Sequence, residues 1–113
     1  MDANTLKGHL DLILLATLEK EPLYGLRIIQ EVQVQTEGYF TFKEGTLYPA
    51  LHRLEKAGWI DTETQPSPIG GPPRKYYKLT ESGLKALQDK RQEWQSFQQA
   101  MRAFGGNRHA KTH

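Results

Sequence analysis

The side chains best suited to chemistry lie on one face of a helix predicted between residues 45 and 58. At 100° per residue, Leu47, Leu51 and Leu54 point to one side, which must be the core side. The opposite side carries Gly45, Pro49, His52, Arg53 and Lys56, flanked by Thr46 and Tyr48. Arginine can bond two acceptors of guanine, and threonine, tyrosine and lysine side chains reach phosphate oxygens. The pattern therefore predicts a helix that enters the major groove of DNA, the alternative being an ordinary solvated amphipathic helix.

A predicted β-hairpin adds a second group of cations. Residues 60–64 and 75–79 are rich in β-branched residues and tyrosine, which is typical of strands. Residues 66–73 between them hold four prolines and two glycines, which predicts a long exposed hairpin tip. The returning strand opens with Arg74-Lys75, and residues 64–80 contain three bases and no acid. Cations beside a duplex backbone release counterions, so binding should depend strongly on salt.

The residues show no enzymatic centre. Acid–base catalysis needs converging groups, and no such pairing is evident among Glu44, Glu55, Asp61 and Glu63. Two of the four histidines, His109 and His113, have the i, i+4 spacing of a metal pair, but they follow the glycines at 105–106 in a segment expected to be disordered. The chain has no cysteine, which excludes a thiolate nucleophile or zinc site. We predict a non-enzymatic protein without cofactor or metal.

Length and charge agree with a small nucleic-acid-binding domain. The 113 residues, of which 37% are hydrophobic and 25% charged, suffice for one core. Residues 1–40 carry three bases and six acids, whereas residues 41–113 carry twelve and seven. The longest apolar run covers residues 12–16, far short of the roughly 20 residues that span a bilayer, and no secretory signal is visible. We expect a cytoplasmic protein without a membrane partner.

The first two predicted helices follow from apolar spacing and breakers. Residues 6–19 repeat at helical spacing and are apolar nearly all round, so the second side of this helix is expected to meet another subunit. Pro22 interrupts the pattern, which resumes over residues 24–35 and ends at Gly38.

The remaining elements complete a recognisable order. Thr41 and Glu44 have the spacing of a capping box for the third helix, which should end at Gly58. Pro49 leaves two alternatives, a start near residues 45–46 or a bend at the proline. Thr80 should cap a last helix that continues to about residue 103. Three helices, a hairpin and a long helix predict a mainly α (α+β) fold, a winged helix-turn-helix with a terminal helix appended.

The last helix carries an apolar stripe that the preceding domain is too small to cover. The stripe consists of Leu84, Leu87, Trp94, Phe97, Met101 and Phe104, with Arg91 interrupting it. Exposed stripes about 30 Å long are rare on monomers, so we predict a homodimer joined by the first and last helices. The predicted interface residues are Leu6, Leu10, Leu87, Trp94, Phe97 and Met101. A second hypothesis for Trp94 makes its indole one wall of a pocket for a flat aromatic effector.

Three segments resemble those of PadR-type transcriptional regulators. They are EGTLYPALHRLEKAGWI at residues 44–60, PLYG at residues 22–25 and RKYYKLTESG at residues 74–83. The resemblance implies a homodimeric winged-helix repressor whose first and last helices form the dimer contact. It also implies DNA contacts by Lys43, Thr46, Tyr48, Pro49, Arg74 and Lys75. The single terminal helix resembles that of small family members, some of which bind drug-like aromatics against a tryptophan similar to Trp94.

These arguments predict a repressor that binds a palindromic operator in double-stranded DNA as a homodimer and is released by a small aromatic ligand. Residues 1–80 would form the DNA-binding domain, 81–104 the dimerisation helix and 105–113 a disordered tail. The predicted DNA-binding residues are Lys43, Thr46, Tyr48, Pro49, His52, Arg53, Lys56, Arg74 and Lys75. The alternative is a winged-helix module that binds another protein without specific DNA binding.

Overall fold

A computed structural model describes residues 3–105 of the chain, with side chains from residue 9 onward. The elements in order are α1 (Ala3–Thr17), β1 (Leu23–Tyr24), α2 (Gly25–Gln35), α3 (Glu44–Lys56), β2 (Ile60–Gln65), β3 (Arg74–Leu79) and α4 (Glu81–Arg102). Four helices with a small antiparallel sheet confirm the predicted winged-helix class. The predicted disordered tail beyond Gly105, with His109 and His113, lies outside the described residues, as does the side chain of Leu6.

Helix α1 supplies much of the core. Leu10, Leu14, Leu15 and Leu18 are buried within the single chain, whereas Leu12 is half-buried. The helical spacing places Leu15 on the second side of this helix, the one predicted to meet another subunit, but its side chain is fully covered by the chain's own core. Only part of the second apolar side of α1 is therefore left for a partner.

A short strand that the sequence analysis did not predict completes the sheet. Leu23 and Tyr24 pair antiparallel with β3, opposite Tyr77 and Tyr76, so the strand order is β1-β3-β2. Two residues are too few to show alternation, and Tyr24 had been assigned to the following helix. Strand β3 is consequently the central strand, with hydrogen-bonded neighbours on both sides.

Helix α3 begins and continues differently from the capping-box prediction. Its N-cap is Lys43, with no side-chain cap hydrogen bond, so the predicted Thr41–Glu44 box is wrong. The helix starts at Glu44 and continues through Pro49. Proline removes the hydrogen bond to the carbonyl four residues earlier, and here that carbonyl belongs to exposed Gly45, where water can reach it. The predicted stop is confirmed, since Gly58 has a φ of 83° and donates its N–H to the Glu55 carbonyl.

The junction between the sheet and α4 is tightly built. The Thr80 hydroxyl accepts the N–H of Gly83 at 3.0 Å, which confirms the predicted cap, and donates to the Gly58 carbonyl at 2.7 Å. The Thr80 N–H bonds the Trp59 carbonyl at 3.1 Å. A Cβ on Gly83 would lie 1.9 Å from that same Trp59 oxygen, so only glycine fits there. These bonds fix where α4 leaves the winged-helix domain.

Two predicted interface residues belong instead to the core. Leu10 is 4% exposed and Leu87 0% exposed in the single chain, where they join the cluster that includes Leu14, Leu47 and Leu51. Because these two side chains have almost no surface left, the interface assignment for them is wrong. No helix within residues 3–105 is long and apolar enough to cross a membrane.

Candidate nucleic-acid interface

Helix α3 presents a polar face next to a fully buried one. Its buried residues are Leu47, Ala50, Leu51 and Leu54. The exposed residues include these predicted DNA contacts: Thr46, Tyr48, Pro49, His52, Arg53 and Lys56. Lys43, just before the helix, is also exposed. The helical wheel therefore separates the two faces correctly, and the exposed face has the donors and cations that phosphates and base edges require.

Tyr48 is held by a close contact with α2. Its side chain is 41% exposed, and its hydroxyl end lies where a Cβ of Gly25 would be, at 2.1 Å. Gly25 is the first residue of α2, so the absent side chain makes room for the tyrosine ring. The sequence singled out both residues but gave no sign that they touch. The contact fixes the direction of Tyr48 on the polar face.

Arg53 differs from the other cations of α3 because its guanidinium is bound within the chain. Its Nη2 donates to Oδ1 of Asp11 in α1 at 2.5 Å. The side chains of Arg53 and Asp11 are 44% and 21% exposed. By contrast, Lys43, Lys56 and Lys75 form no ion pair within 4.0 Å in the part of the chain whose side chains are described.

The two wing cations lie on opposite faces of the hairpin. Successive side chains of a strand alternate, so Arg74 shares a face with Tyr76 and Lys75 shares a face with Tyr77. The Arg74 guanidinium stacks over the Tyr24 ring of β1, 4.3 Å from its centroid. The Lys75 ammonium is 5.8 Å from the Tyr77 ring, and Lys75 is exposed.

Tyr77 shows which face of the hairpin is turned toward α3. Burial raises the pKa of its phenol, and the neighbouring Tyr48 and Glu55 of α3 raise it further. Lys75 therefore shares the face of the hairpin on which Tyr77 lies near Tyr48 and Glu55 of α3. Arg74 lies on the other face and stacks on the Tyr24 ring of β1.

The outer part of α4 leaves apolar side chains uncovered. Phe97 is 55% exposed, Met101 42% and Phe104 81%. Arg91, which interrupts the stripe, donates two hydrogen bonds to the Glu19 carboxylate, at 2.7 and 3.2 Å. This pair holds the inner half of α4 against the end of α1. Phe97 and Met101 lie on the helix beyond it, Phe104 follows the end of α4, and Leu84 in the inner half is 39% exposed.

Trp94 of α4 packs against His9 of α1 beside an apolar cavity of about 350 Å³. The cavity lining consists of His9, Leu12, Ile13, Tyr39, Phe40 and Trp94. His9 meets the Trp94 ring edge-to-face with centroids 5.1 Å apart. No local pattern connects Tyr39 and Phe40 with Trp94, because they follow α2, some 55 positions earlier. Aromatic walls around a volume of this size suit a small planar ligand. Within residues 3–105 no three His, Asp or Glu side chains form a group that could hold a metal ion.

Comparison with protein-family models gives a match over residues 14–89, to the transcriptional regulator PadR-like family. A protein of Lysinibacillus sphaericus is 34% identical over 102 residues, which cover 90% of this chain and 93% of that one. A solved transcriptional regulator from Clostridium thermocellum superimposes with a TM-score of 0.80 at 30% identity, covering 90% and 98% of the two chains. The structure of Bacillus subtilis PadR in complex with operator DNA matches with a TM-score of 0.63 at 29% identity, over 71% of this chain and 45% of that chain.

Proposed function

Because this chain belongs to the PadR-like family of transcriptional regulators, we propose that it is a repressor that binds a palindromic operator as a homodimer and is released by a small planar aromatic effector. The observation that carries the proposal is the exposed polar and cationic face of α3, to which the exposed Lys75 of the wing adds a further cation. The operator complex of the related Bacillus subtilis PadR supports DNA as the partner of that surface.

The proposed DNA contacts divide by chemistry. Thr46, Pro49 and His52 line the exposed face of α3 that would enter the major groove, and Tyr48 is oriented there by Gly25. Lys43 and Lys56 lie at the two ends of α3, where their ammonium groups would reach phosphates on either side of the groove. Lys75 would contact the backbone from the wing.

We propose that the exposed apolar residues in the outer half of α4 pack against a second copy of the chain. Phe97 and Met101 of each copy would pack against the partner, and the half-exposed side of α1 would extend the contact. Two-fold symmetry would then present two α3 helices to half-sites about 34–36 Å apart, which is why we propose a palindromic operator.

The effector site is proposed at the cavity beside Trp94. Its walls come from α1, from α4 and from Tyr39-Phe40. A flat ligand wedged there would push α1 and α4 apart, and these are the helices proposed to set the distance between the two DNA-binding heads.

Selection of bound sequences from a random duplex pool tests the DNA proposal. We expect an inverted repeat, bound with an affinity that falls steeply as salt rises. Lys56→Ala should weaken binding, whereas Lys85→Ala, an exposed lysine on α4, should not. Retention of duplexes regardless of salt and sequence would contradict specific recognition and favour the protein-binding alternative.

Sedimentation velocity tests the dimer. Phe97→Asp places a charge in the middle of the exposed stripe and should yield monomers. Gln99→Asp adds the same charge two residues later, about 160° around the helix, and should leave the dimer intact. Equal sedimentation of wild type and Phe97→Asp would remove this face from the interface.

Tryptophan emission during titration with planar aromatic compounds tests the effector site. Trp59 also emits, so the titration is compared between Trp94→Phe and Trp59→Phe. Quenching should persist in Trp59→Phe and vanish in Trp94→Phe. No quenching across a broad panel, or quenching that survives the loss of Trp94, would contradict the site.

A further inference from the structure

We infer that Arg53 is a positioning residue, which sets the orientation of α3 against α1 through its ion pair with Asp11, and that it does not contact DNA. The inference rests on the proposed function, because the orientation of α3 matters only if α3 meets a duplex. It replaces the expectation, drawn from the helical wheel, that Arg53 bonds a base.

The geometry ties together two elements that are distant along the chain. Arg53 and Asp11 are 42 residues apart, and their charged atoms lie at 2.5 Å, the short end of a charge-assisted hydrogen bond. The Asp11 side chain is only 21% exposed, so the carboxylate is partly withdrawn from water. If the Arg53 guanidinium left Asp11 to contact a phosphate, the partly buried Asp11 carboxylate would lose its ion-pair partner.

Asp11 is tied to the core through its helix. It lies in α1 next to Leu10, and α1 packs in the core through Leu14 and Leu15, each 0% exposed. The Asp11 carboxylate therefore moves only when α1 moves, and the ion pair links the position of Arg53 to that of α1.

Helix α3 needs such a restraint because of Pro49. Proline removes one backbone hydrogen bond and crowds the preceding turn, which weakens the helix at that point. Arg53 lies one turn after Pro49, so its ion pair fixes the half of α3 that follows the proline. The half before the proline carries Thr46 and Tyr48, whose direction depends on how the two halves are held.

Helix α1, which binds Arg53 through Asp11, also lines the cavity beside Trp94. His9 and Leu12, on either side of Asp11 in sequence, both contribute to that cavity. A displacement of α1 would thus reach α3 through the Asp11–Arg53 pair. The ion pair would therefore link the proposed effector site to the proposed DNA surface mechanically.

The Asp11→Asn substitution distinguishes a positioning role of Arg53 from a DNA-contacting role, because the two roles predict opposite changes in operator affinity. If Arg53 positions α3, loss of its partner should weaken binding of the selected operator about fivefold, the scale of a partly exposed ion pair. If Arg53 is a DNA contact that Asp11 restrains, the substitution frees it and binding should tighten. Asp61→Asn, which removes an exposed acid on β2, controls for the general gain from losing one negative charge.

The charge swap and the salt dependence complete the test. Arg53→Asp alone should bind weakly, and Asp11→Arg with Arg53→Asp should recover binding to within about twofold, because the reversed pair has the same reach. The slope of log K against log salt should stay that of wild type in Asp11→Asn and in the swapped protein, since no phosphate contact is lost. Tighter binding by Asp11→Asn, an unrescued swap or a flattened slope would each overturn the inference. A wild-type protein that ignores all duplexes would instead refute the proposed function itself.

Discussion

Replacement of the two adjacent wing cations, one at a time, should give opposite results in a salt titration. Lys75 is exposed and its ammonium lies 5.8 Å from the Tyr77 ring, whereas Arg74 is half-buried and its guanidinium lies 4.3 Å above the Tyr24 ring on the other face. We expect Lys75→Ala to remove a phosphate contact and Arg74→Ala to remove a packing contact within the sheet. Adjacent residues of equal charge thus act as each other's control.

The expected size follows from counterion release. Each phosphate neutralised contributes about 0.9 to the slope of log K against log salt, so loss of Lys75 from both subunits of a dimer should flatten the slope by about 1.8. Between about 50 and 200 mM salt, wild type should lose about twelve times more affinity than Lys75→Ala. Arg74→Ala should keep the wild-type slope. It should lower the free energy of unfolding by about 0.5–1 kcal/mol, the usual worth of an accessible cation–π contact.

Fluorescence anisotropy with a labelled operator, over a series of KCl concentrations, measures the slopes, and urea unfolding of the same samples measures stability. Lys85→Ala on α4 serves as the control for loss of a positive charge far from the proposed surface. Equal slopes for Lys75→Ala and wild type would refute the assignment of this face of the wing to DNA. A flatter slope for Arg74→Ala than for Lys75→Ala would show that the two faces had been assigned the wrong way round.

Three further predictions concern residues whose roles the structure separates. Gly83→Ala places a Cβ 1.9 Å from the Trp59 carbonyl oxygen, and because that backbone cannot move cheaply we expect a loss of about 2 kcal/mol in urea unfolding; an unchanged midpoint would contradict the close approach. In Gly25→Ala the new Cβ would overlap the hydroxyl end of the Tyr48 ring, which is 41% exposed and has room to swing outward. Stability should therefore change little while operator affinity falls, and equal affinity would remove Tyr48 from the interface. The hydrogen bond from the Arg91 guanidinium lowers the pKa of Glu19, so the stability that this carboxylate contributes is present at neutral pH and is lost as the pH falls through its lowered pKa. Glu19→Gln should therefore melt below wild type at pH 7, and the difference should shrink as the pH falls through the lowered pKa of Glu19; a difference that does not change with pH would contradict the ion pair.

Local patterns predicted the elements well because their causes are local. The stop at Gly58 and the cap at Thr80 depend on backbone conformation and hydrogen bonds within a few residues, and both are present. The predicted capping box of Thr41 and Glu44 is absent. The two residues have the right spacing, but the chain enters α3 through Lys43 in extended conformation without a side-chain cap. Strand β1 was missed because it exists only through its pairing with β3.

In the candidate site, too, features with local causes were predictable from the sequence and features that depend on helix packing were not. Periodicity alone placed His52 and Lys56 on the exposed face of α3 opposite Leu51, since that separation needs only the helical repeat. It could not show that Arg53 is bound to Asp11 or that Leu87 is already covered by the core, because both depend on how helices pack.

The sequence by itself determined the class of fold, the family to which the chain belongs and the polar face of the third helix, through repeats and motifs that each span a few turns of chain. The tertiary structure alone decided which partners these cations have. Arg53 pairs with Asp11 and Arg74 stacks on Tyr24, while the Lys75 side chain is exposed. These partners lie tens of residues away, so the distances between them are set by packing of the elements and leave no trace in local spacing.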